Sequence, residues 1–278
     1  ERSFYVNVND EDSTFGVIKS GVPQGSVLGP VLYTIFTSDM PTIDGLTTAT
    51  YADDTAILSS NESPNEASAL VQRQLDMLES WLLKWNIKVN TEKSVHVTFT
   101  LRKNECPSLY LNGNRIPKAN NVKYLGMHLD KRLTWKDHIK SKREHLNIKT
   151  KKMYWLLNPK SELSLENKVI LYKTILKPIW TYGVQLWGTA SNSNIEILQR
   201  YQSKTLRLLT NAPWFLNNNC IHNDLGIPTI REEINNFSER YLNRLSCHSN
   251  ILAINLLDDS DEIRRLKRYH ILDLPFRK

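Results

Sequence analysis

The sequence predicts an α+β chain: antiparallel strands with packed helices over residues 1–130, followed by an all-helical region over 131–278. Two observations carry this expectation. Up to about residue 130, β-rich stretches bounded by turn residues alternate with helical ones, whereas helical stretches dominate afterwards. Charge also changes sign along the chain. Residues 1–60 hold 2 basic and 8 acidic side chains, and residues 131–177 hold 13 basic and 4 acidic. The acidic part suits a metal ion, and the basic part suits a phosphate backbone.

Residues 1–20 read as short strands around an acidic turn, Asn9-Asp10-Glu11-Asp12. A Gly/Pro-rich turn follows at 21–30, GVPQGSVLGP. Pro30 suits the first turn of a helix carrying Val31, Leu32, Ile35 and Phe36 on one side. Residues 47–51 and 55–58 are β-rich and flank Asp53-Asp54, the pattern of a hairpin with two carboxylates at its tip. Ser63 can cap a helix whose apolar positions, from Ala67 through Leu75, Leu78, Trp81, Leu82 and Trp85, recur at i, i+3 and i+4. Trp81 and Trp85 lie on that stripe and read as core. Residues 94–101, 108–112 and 122–130 read as strands, with Asn112-Gly113 a turn. From 131 onward, helices are expected over 136–157, 164–180, 193–211, 229–246 and 259–268.

The chain has 278 residues, 40% of them hydrophobic, which is enough for two modest domains. Its net charge of +7 favours a polyanionic partner without proving one. Three scattered cysteines give no disulfide framework and point to a reducing, intracellular compartment. No apolar run reaches the roughly 18 residues that span a bilayer, and no signal peptide is visible. Glu1 leads directly into strand-like sequence, so the chain reads as part of something longer.

Asp53 and Asp54 carry the clearest chemistry. Two adjacent carboxylates in an apolar β context are costly to bury unpaired. A hairpin tip keeps them at the surface, either as a solvated turn or as hard oxygen ligands for Mg²⁺.

The surrounding motifs favour the second reading. Gly21-Val22-Pro23-Gln24-Gly25-Ser26, Tyr51-Ala52-Asp53-Asp54, Trp85-Asn86-Ile87-Lys88-Val89-Asn90 with Lys93-Ser94, and Tyr124-Leu125-Gly126 follow one another in that order. Leu198-Gln199-Arg200-Tyr201-Gln202 and Asn211-Ala212-Pro213-Trp214 come later. In these motifs the chain resembles reverse transcriptases of non-LTR retrotransposons, most of all the jockey-like elements. The resemblance implies a partial polymerase palm over 1–130, without fingers, and a thumb with further C-terminal helices over 131–278.

It implies catalysis with two Mg²⁺ ions, Asp53 as the main metal ligand and Asp54 in support. Pro23, Gln24, Gly25 and Tyr51 would approach template base and incoming deoxynucleoside triphosphate. Lys93 would approach the triphosphate, and Leu125 with Gly126 would hold the primer end. The expected partners are an RNA template and a DNA primer, and a nuclear location follows by family. The plainer readings are an ordinary turn residue for Gln24, a solvated lysine for Lys93 and core for Tyr124 and Leu125.

Lys136, Lys140, Arg143, Lys149, Lys151 and Lys152 share one expected helical stretch, interleaved with Trp135, Ile139, Leu146, Ile148, Tyr154 and Trp155. Such a row suits sequence-tolerant phosphate binding, the alternative being a solvated basic face. Cys220-x-His222 and Cys247-His248 lack zinc-finger spacing. The competing functional reading is a non-catalytic nucleic-acid-binding remnant of a decayed element. The resemblance also requires a third carboxylate upstream of the motifs present here. It therefore predicts that the isolated 278-residue chain extends a primer very poorly, and a primer-extension assay with Mg²⁺ checks this.

Overall fold

A computed structural model describes residues 2–19, 21–22, 25–103 and 105–257, with Leu266 and Asp273. Contacts divide the chain into two units, Glu1–Ser94 with Asn104–Pro117, and Val95–Lys103 with Lys118–Lys278. The first mixes small antiparallel ladders with helices, and the second is largely helical.

In the first unit, β1 (Arg2–Phe4) pairs antiparallel with β4 (Gly16–Ile18). Nested between them, β2 (Asn7–Val8) pairs with β3 (Glu11–Asp12). Asn9 and Asp10, at φ 53° and 66°, make the acidic turn, a left-handed conformation that short polar side chains tolerate. Helix α1 (Gly29–Phe36) carries Pro30 in its first turn as expected. Its apolar residues Val31, Leu32 and Ile35 nevertheless remain exposed. β5 (Leu46–Tyr51) and β6 (Asp54–Ser59) form the longest ladder.

Helix α2 (Pro64–Lys84) starts at Ser63, whose side chain accepts from the Glu66 N–H. Its buried face feeds two small clusters, Leu75 with Leu109, Leu111 and Ile116, and Leu78 with Trp81 and Leu82. Ile57 of β6 packs against both. Trp81 is core, as expected, and Trp85 packs at its edge. The indole N–H groups of Trp81 and Trp85 donate to Asp39 at 2.8 and 3.2 Å, and the first of these bonds draws that carboxyl below its usual range. β7 (Tyr110–Leu111) and β8 (Asn114–Arg115) meet at the expected Asn112-Gly113 turn.

Among the described residues, the strands form separate two-stranded ladders rather than one sheet. The strand expected over 94–101 is a further difference. His96 forms a lone bridge with Lys118, and Thr100 N–H donates to the Lys131 carbonyl, so single bonds satisfy the backbone without a ladder.

In the second unit, β9 (Asn121–Tyr124) and β10 (Met127–Asp130) form a hairpin that packs on helix α3 (Lys136–Lys152). The composition boundary near 130 and the contact division thus fall at different places. The core centres on Ile139, Leu146, Leu157, Trp180, Trp187 and Leu198. These come from α3, α4 (Tyr154–Leu157), α6 (Lys177–Thr181), α7 (Val184–Trp187) and α8 (Asn192–Thr210).

Between α5 (Leu165–Leu171) and α6 the backbone makes a π turn, Tyr172–Leu176, just ahead of Pro178, which has no N–H to continue the α pattern. Tyr172 is buried there, and its hydroxyl accepts from Gln202 Nε2 at 3.0 Å. α9 (Asn218–Leu225) and α10 (Ile230–Ser246) complete this unit's main helices, α10 opening on a Thr229–Glu232 capping box. The helix expected over 259–268 falls almost wholly outside the described residues. No described helix is long and apolar enough to cross a membrane.

His138 on α3 is fully buried. Its Nδ1 accepts from the His128 N–H at 3.3 Å, and its buried Nε2 has no partner among the described residues. Burial first, then the charges of Lys142 and His128, push its pKa from 6.5 down to about 4. The unfolded chain therefore takes up this proton before the folded one does, and stability falls as pH drops from 6.5 toward 4. At about 1.4 kcal/mol per pKa unit the loss reaches a few kcal/mol. Urea unfolding at neutral and mildly acidic pH should show this slope, and His138→Asn, which keeps an acceptor but no titrating group, should flatten it.

Candidate active site and nucleic-acid surface

The β5–β6 ladder sets Tyr51 opposite Asp54, which leaves Ala52 and Asp53 as a two-residue turn. Ala52 sits at φ 52°, a left-handed conformation costing an L-residue about 1 kcal/mol. This geometry lifts Asp53 to the tip and keeps Asp54 on the first rung of the ladder. Both are exposed, as is Tyr51. Tyr51 and Asp54 are direct cross-strand partners, so their side chains leave the same face. No ion pair or hydrogen bond among the described residues occupies either carboxylate.

Gly25 is exposed at φ 82°, and no described residue fills the space where a Cβ would sit, consistent with close backbone approach by a ligand. Pro23 and Gln24 lie outside the described residues. Beside Gly25, the Ser26 hydroxyl accepts from the Gly29 N–H at 3.0 Å and secures the start of α1. Lys93 is exposed on a turn organised by Asn90, whose side-chain and main-chain oxygens accept from the Lys93 N–H at 3.1 and 3.2 Å. The Asn90 carbonyl also accepts from the Ser94 N–H and hydroxyl.

The second unit supplies Leu125 and Gly126. They are the two turn residues of the β9–β10 hairpin, at φ 46° and 76°, a pair of positive values matching the twist of a tight hairpin. Tyr182 braces this tip: its hydroxyl donates to the Leu125 carbonyl at 2.6 Å. A Cβ on Gly126 would lie 3.3 Å from the Tyr182 ring, so glycine fits there for space as well as backbone conformation. Lys142 places its ammonium 4.9 Å over the same ring. Burial, then the nearby Lys123 charge, lowers the Lys142 pKa. Sequence reasoning missed Tyr182; it follows a helix end and belongs to no periodic stripe that would single it out.

The basic row divides by environment. Lys136, Lys140, Lys151 and Lys152 are exposed, Lys149 is half-buried, and Arg143 is half-buried with its guanidinium 4.9 Å over Tyr201. Of the interleaved apolar residues, Trp135, Ile139 and Leu146 are buried, whereas Ile148, Tyr154 and Trp155 are exposed beside the free lysines. His222 is not a ligand in waiting: its Nδ1 is 2.7 Å from the Ile227 carbonyl and its ring is buried, while Cys220 is exposed. Among the described residues, no three His, Cys, Asp or Glu side chains gather as a metal site.

Residues 1–129 match the family described as reverse transcriptase (RNA-dependent DNA polymerase). That stretch includes Tyr51, Asp53, Asp54, Lys93, Leu125 and Gly126. The likeness continues beyond it. The chain is 40% identical to the RNA-directed DNA polymerase from mobile element jockey of Drosophila melanogaster, over 99% of this chain and 32% of the relative. It is 41% identical to the probable RNA-directed DNA polymerase from transposon X-element of the same fly, over 98% of this chain and 30% of the relative. The jockey polymerase of Drosophila funebris is 38% identical over 98% of this chain and 32% of its own length. The chain thus spans about a third of each of these relatives. No solved structure matches it.

The brace on the Leu125–Gly126 tip is open to direct measurement. Tyr182→Phe removes the hydroxyl while keeping the ring, and should cost about 1 kcal/mol. Gly126→Ala meets both the ring and a left-handed backbone, and should cost more than the tyrosine change. Amide exchange at Leu125–Met127 should speed up in both variants, with the helical core unchanged.

Proposed function

We propose that this chain is the part of a non-LTR retrotransposon's RNA-directed DNA polymerase that carries the aspartate hairpin and the helical region after it. The observation that carries this reading is the pair of exposed, unengaged carboxylates at a two-residue turn, inside sequence of the reverse transcriptase family. On this reading residues 1–130 are palm, and residues 131–278 are thumb with further C-terminal helices.

The residues fit magnesium in donor chemistry. Asp53 and Asp54 offer hard carboxylate oxygens, no protein cation competes for them among the described residues, and the strained turn fixes where they stand. The two form only part of a ligand set, and a further carboxylate is expected from elsewhere in the polymerase. When bound, the metal supplies charge for the attacking and leaving oxygens of nucleotidyl transfer. The chain's own residues do the rest. Asp53 and Asp54 hold ligand oxygens at the surface. Lys93, free on its Asn90-organised turn, offers an ammonium to triphosphate. The glycine at 25 admits a nucleotide close to the backbone. Leu125 and Gly126, held by Tyr182, present a stiff tip to the primer end. Lys136, Lys140, Lys151 and Lys152 neutralise template–primer phosphates without reading sequence, as copying requires.

A hybrid polymerase tests the reading. This chain would replace the matching third of the Drosophila melanogaster jockey polymerase, and the product would be assayed by primer extension with Mg²⁺. The hybrid should extend primer, and Asp53→Asn should lower the rate by roughly 100-fold or more without changing the melting temperature. An Asp53→Asn hybrid that copies as fast as its parent would overturn the assignment of Asp53 and favour a non-catalytic nucleic-acid-binding chain.

A further inference from the structure

The loop between α8 and α9 leaves its two largest apolar side chains in water. Trp214 is 89% exposed and Phe215 73%. Their rings meet edge to face, with centroids 6.0 Å apart. The backbone beneath them is well anchored. Arg207 Nε donates to Asn218 Oδ1 at 2.8 Å, Nη1 to the Pro213 carbonyl at 3.0 Å, and Nη2 to the Leu216 carbonyl. Asn211 closes α8 in a left-handed conformation, and the Asn217 side chain caps α9. Ala212 and Leu216, on either side of the pair, pack against the core. The flanking apolar residues therefore turn inward while the two aromatic rings stay out on a fixed support. Exposing a phenylalanine alone forfeits about 1.5–3 kcal/mol of burial.

The surroundings indicate what the rings meet. Residues 197–223 contain Arg200, Lys204 and Arg207 and no aspartate or glutamate. The exposed rim beside the rings is a run of amides, Asn217, Asn218 and Asn219. Two exposed aromatic faces beside amides, in a stretch of chain with basic side chains and no carboxylates, match a strand that has both π faces and phosphates. We propose that Trp214 and Phe215 are a base-stacking platform for single-stranded nucleic acid, with Lys204 and the amide rim serving its backbone and base edges. The site lies apart in sequence from the lysine row of α3 and does not rest on the metal reading of Asp53. A hybrid that fails to polymerise therefore leaves it standing.

The test is fluorescence anisotropy of the purified chain with a labelled single-stranded RNA and with a blunt duplex of the same sequence. Trp214→Ala and Phe215→Ala should each weaken single-strand binding by about 5- to 150-fold, the span reported by stacking energies. Duplex binding should change far less, because paired bases offer free faces only at the two ends, and the melting temperature should not change. Trp214→Phe should restore most of the affinity. Lys140→Gln with Lys151→Gln and Lys152→Gln should instead weaken both ligands and flatten the salt dependence. Unchanged single-strand affinity in both alanine variants overturns the proposal. So does a loss of affinity that coincides with a dimer-to-monomer change in sedimentation, which would assign the rings to contact between copies of the chain.

Discussion

The Asp130 carboxylate joins the hairpin that carries Leu125 and Gly126 to the basic helix. Its Oδ2 accepts from the Thr134 N–H at 2.8 Å, the Thr134 hydroxyl at 3.1 Å and the Trp135 N–H at 3.0 Å, while Oδ1 accepts from the Arg132 N–H at 3.1 Å. Four donors on one side chain fix a connection in which Leu133 and Trp135 both sit at positive φ, 47° and 62°. Such a backbone persists only when its surroundings over-determine it. With Trp135 set there, its indole reaches Thr189 at 3.0 Å, and Asn194 Nδ2 donates to the Thr134 carbonyl at 3.2 Å. One carboxylate thus sets the start of α3, and the first turns of α8 attach to the same point. A neutral or longer side chain would satisfy fewer donors, and the direction of the lysine-bearing helix would lose its reference.

That fixed direction sorts the positive charges of α3. Two half-buried cations lie over aromatic faces, Lys142 over Tyr182 and Arg143 over Tyr201. The Tyr201 hydroxyl meets Thr150 at 2.5 Å, and burial raises the Tyr201 pKa. Those two cations therefore build structure, and the exposed lysines carry the charge that solvent or a polyanion meets. Counting basic residues overstates such a surface, because burial withdraws some of them. An ammonium over a ring contributes about 0.5–2 kcal/mol to packing, depending on desolvation, which a phosphate contact would have to match to recruit it.

The strongly patterned parts of the fold were legible in the sequence. Ser63 and Pro64, the stripe through Leu75 and Trp81, the Asn112-Gly113 turn and the helical stretches from 136 to 246 appear where propensity, capping and periodicity all agree. The Asp53 hairpin was legible because two carboxylates between β-rich segments have few places to go. What escaped notice depends on contacts between distant residues. Residues 94–101 are apolar and β-branched enough for a strand, but their partners are single backbone groups at 118, 119 and 131. Tyr182 lies 57 residues from the carbonyl it braces. The apolar side of α1 predicts burial by its composition, yet composition does not specify a partner, and the described residues leave it at the surface. Pro23 and Gln24 lie outside the described residues, so the turn beside Gly25 rests on sequence alone.

The Asp53 and Leu125 hairpins solve the same backbone problem differently. Each places a non-glycine residue in the left-handed region at its tip, Ala52 at φ 52° and Leu125 at φ 46°. The Leu125 tip is held from outside by a hydroxyl on its carbonyl and a ring against its glycine. The Ala52 tip has no such brace among the described residues. Six consecutive cross-strand pairs and the packing of Ile57 against α2 hold it instead. The difference suits what each tip presents. A turn that offers only backbone and apolar surface can be clamped by its neighbours. A turn that offers carboxylates must keep their oxygens free, because each donor brought in to brace it would compete for the same lone pairs. Rigidity then has to come from the ladder and from the backbone itself. Glycine at 52 would relieve the strain, but it would also restore the freedom that alanine removes.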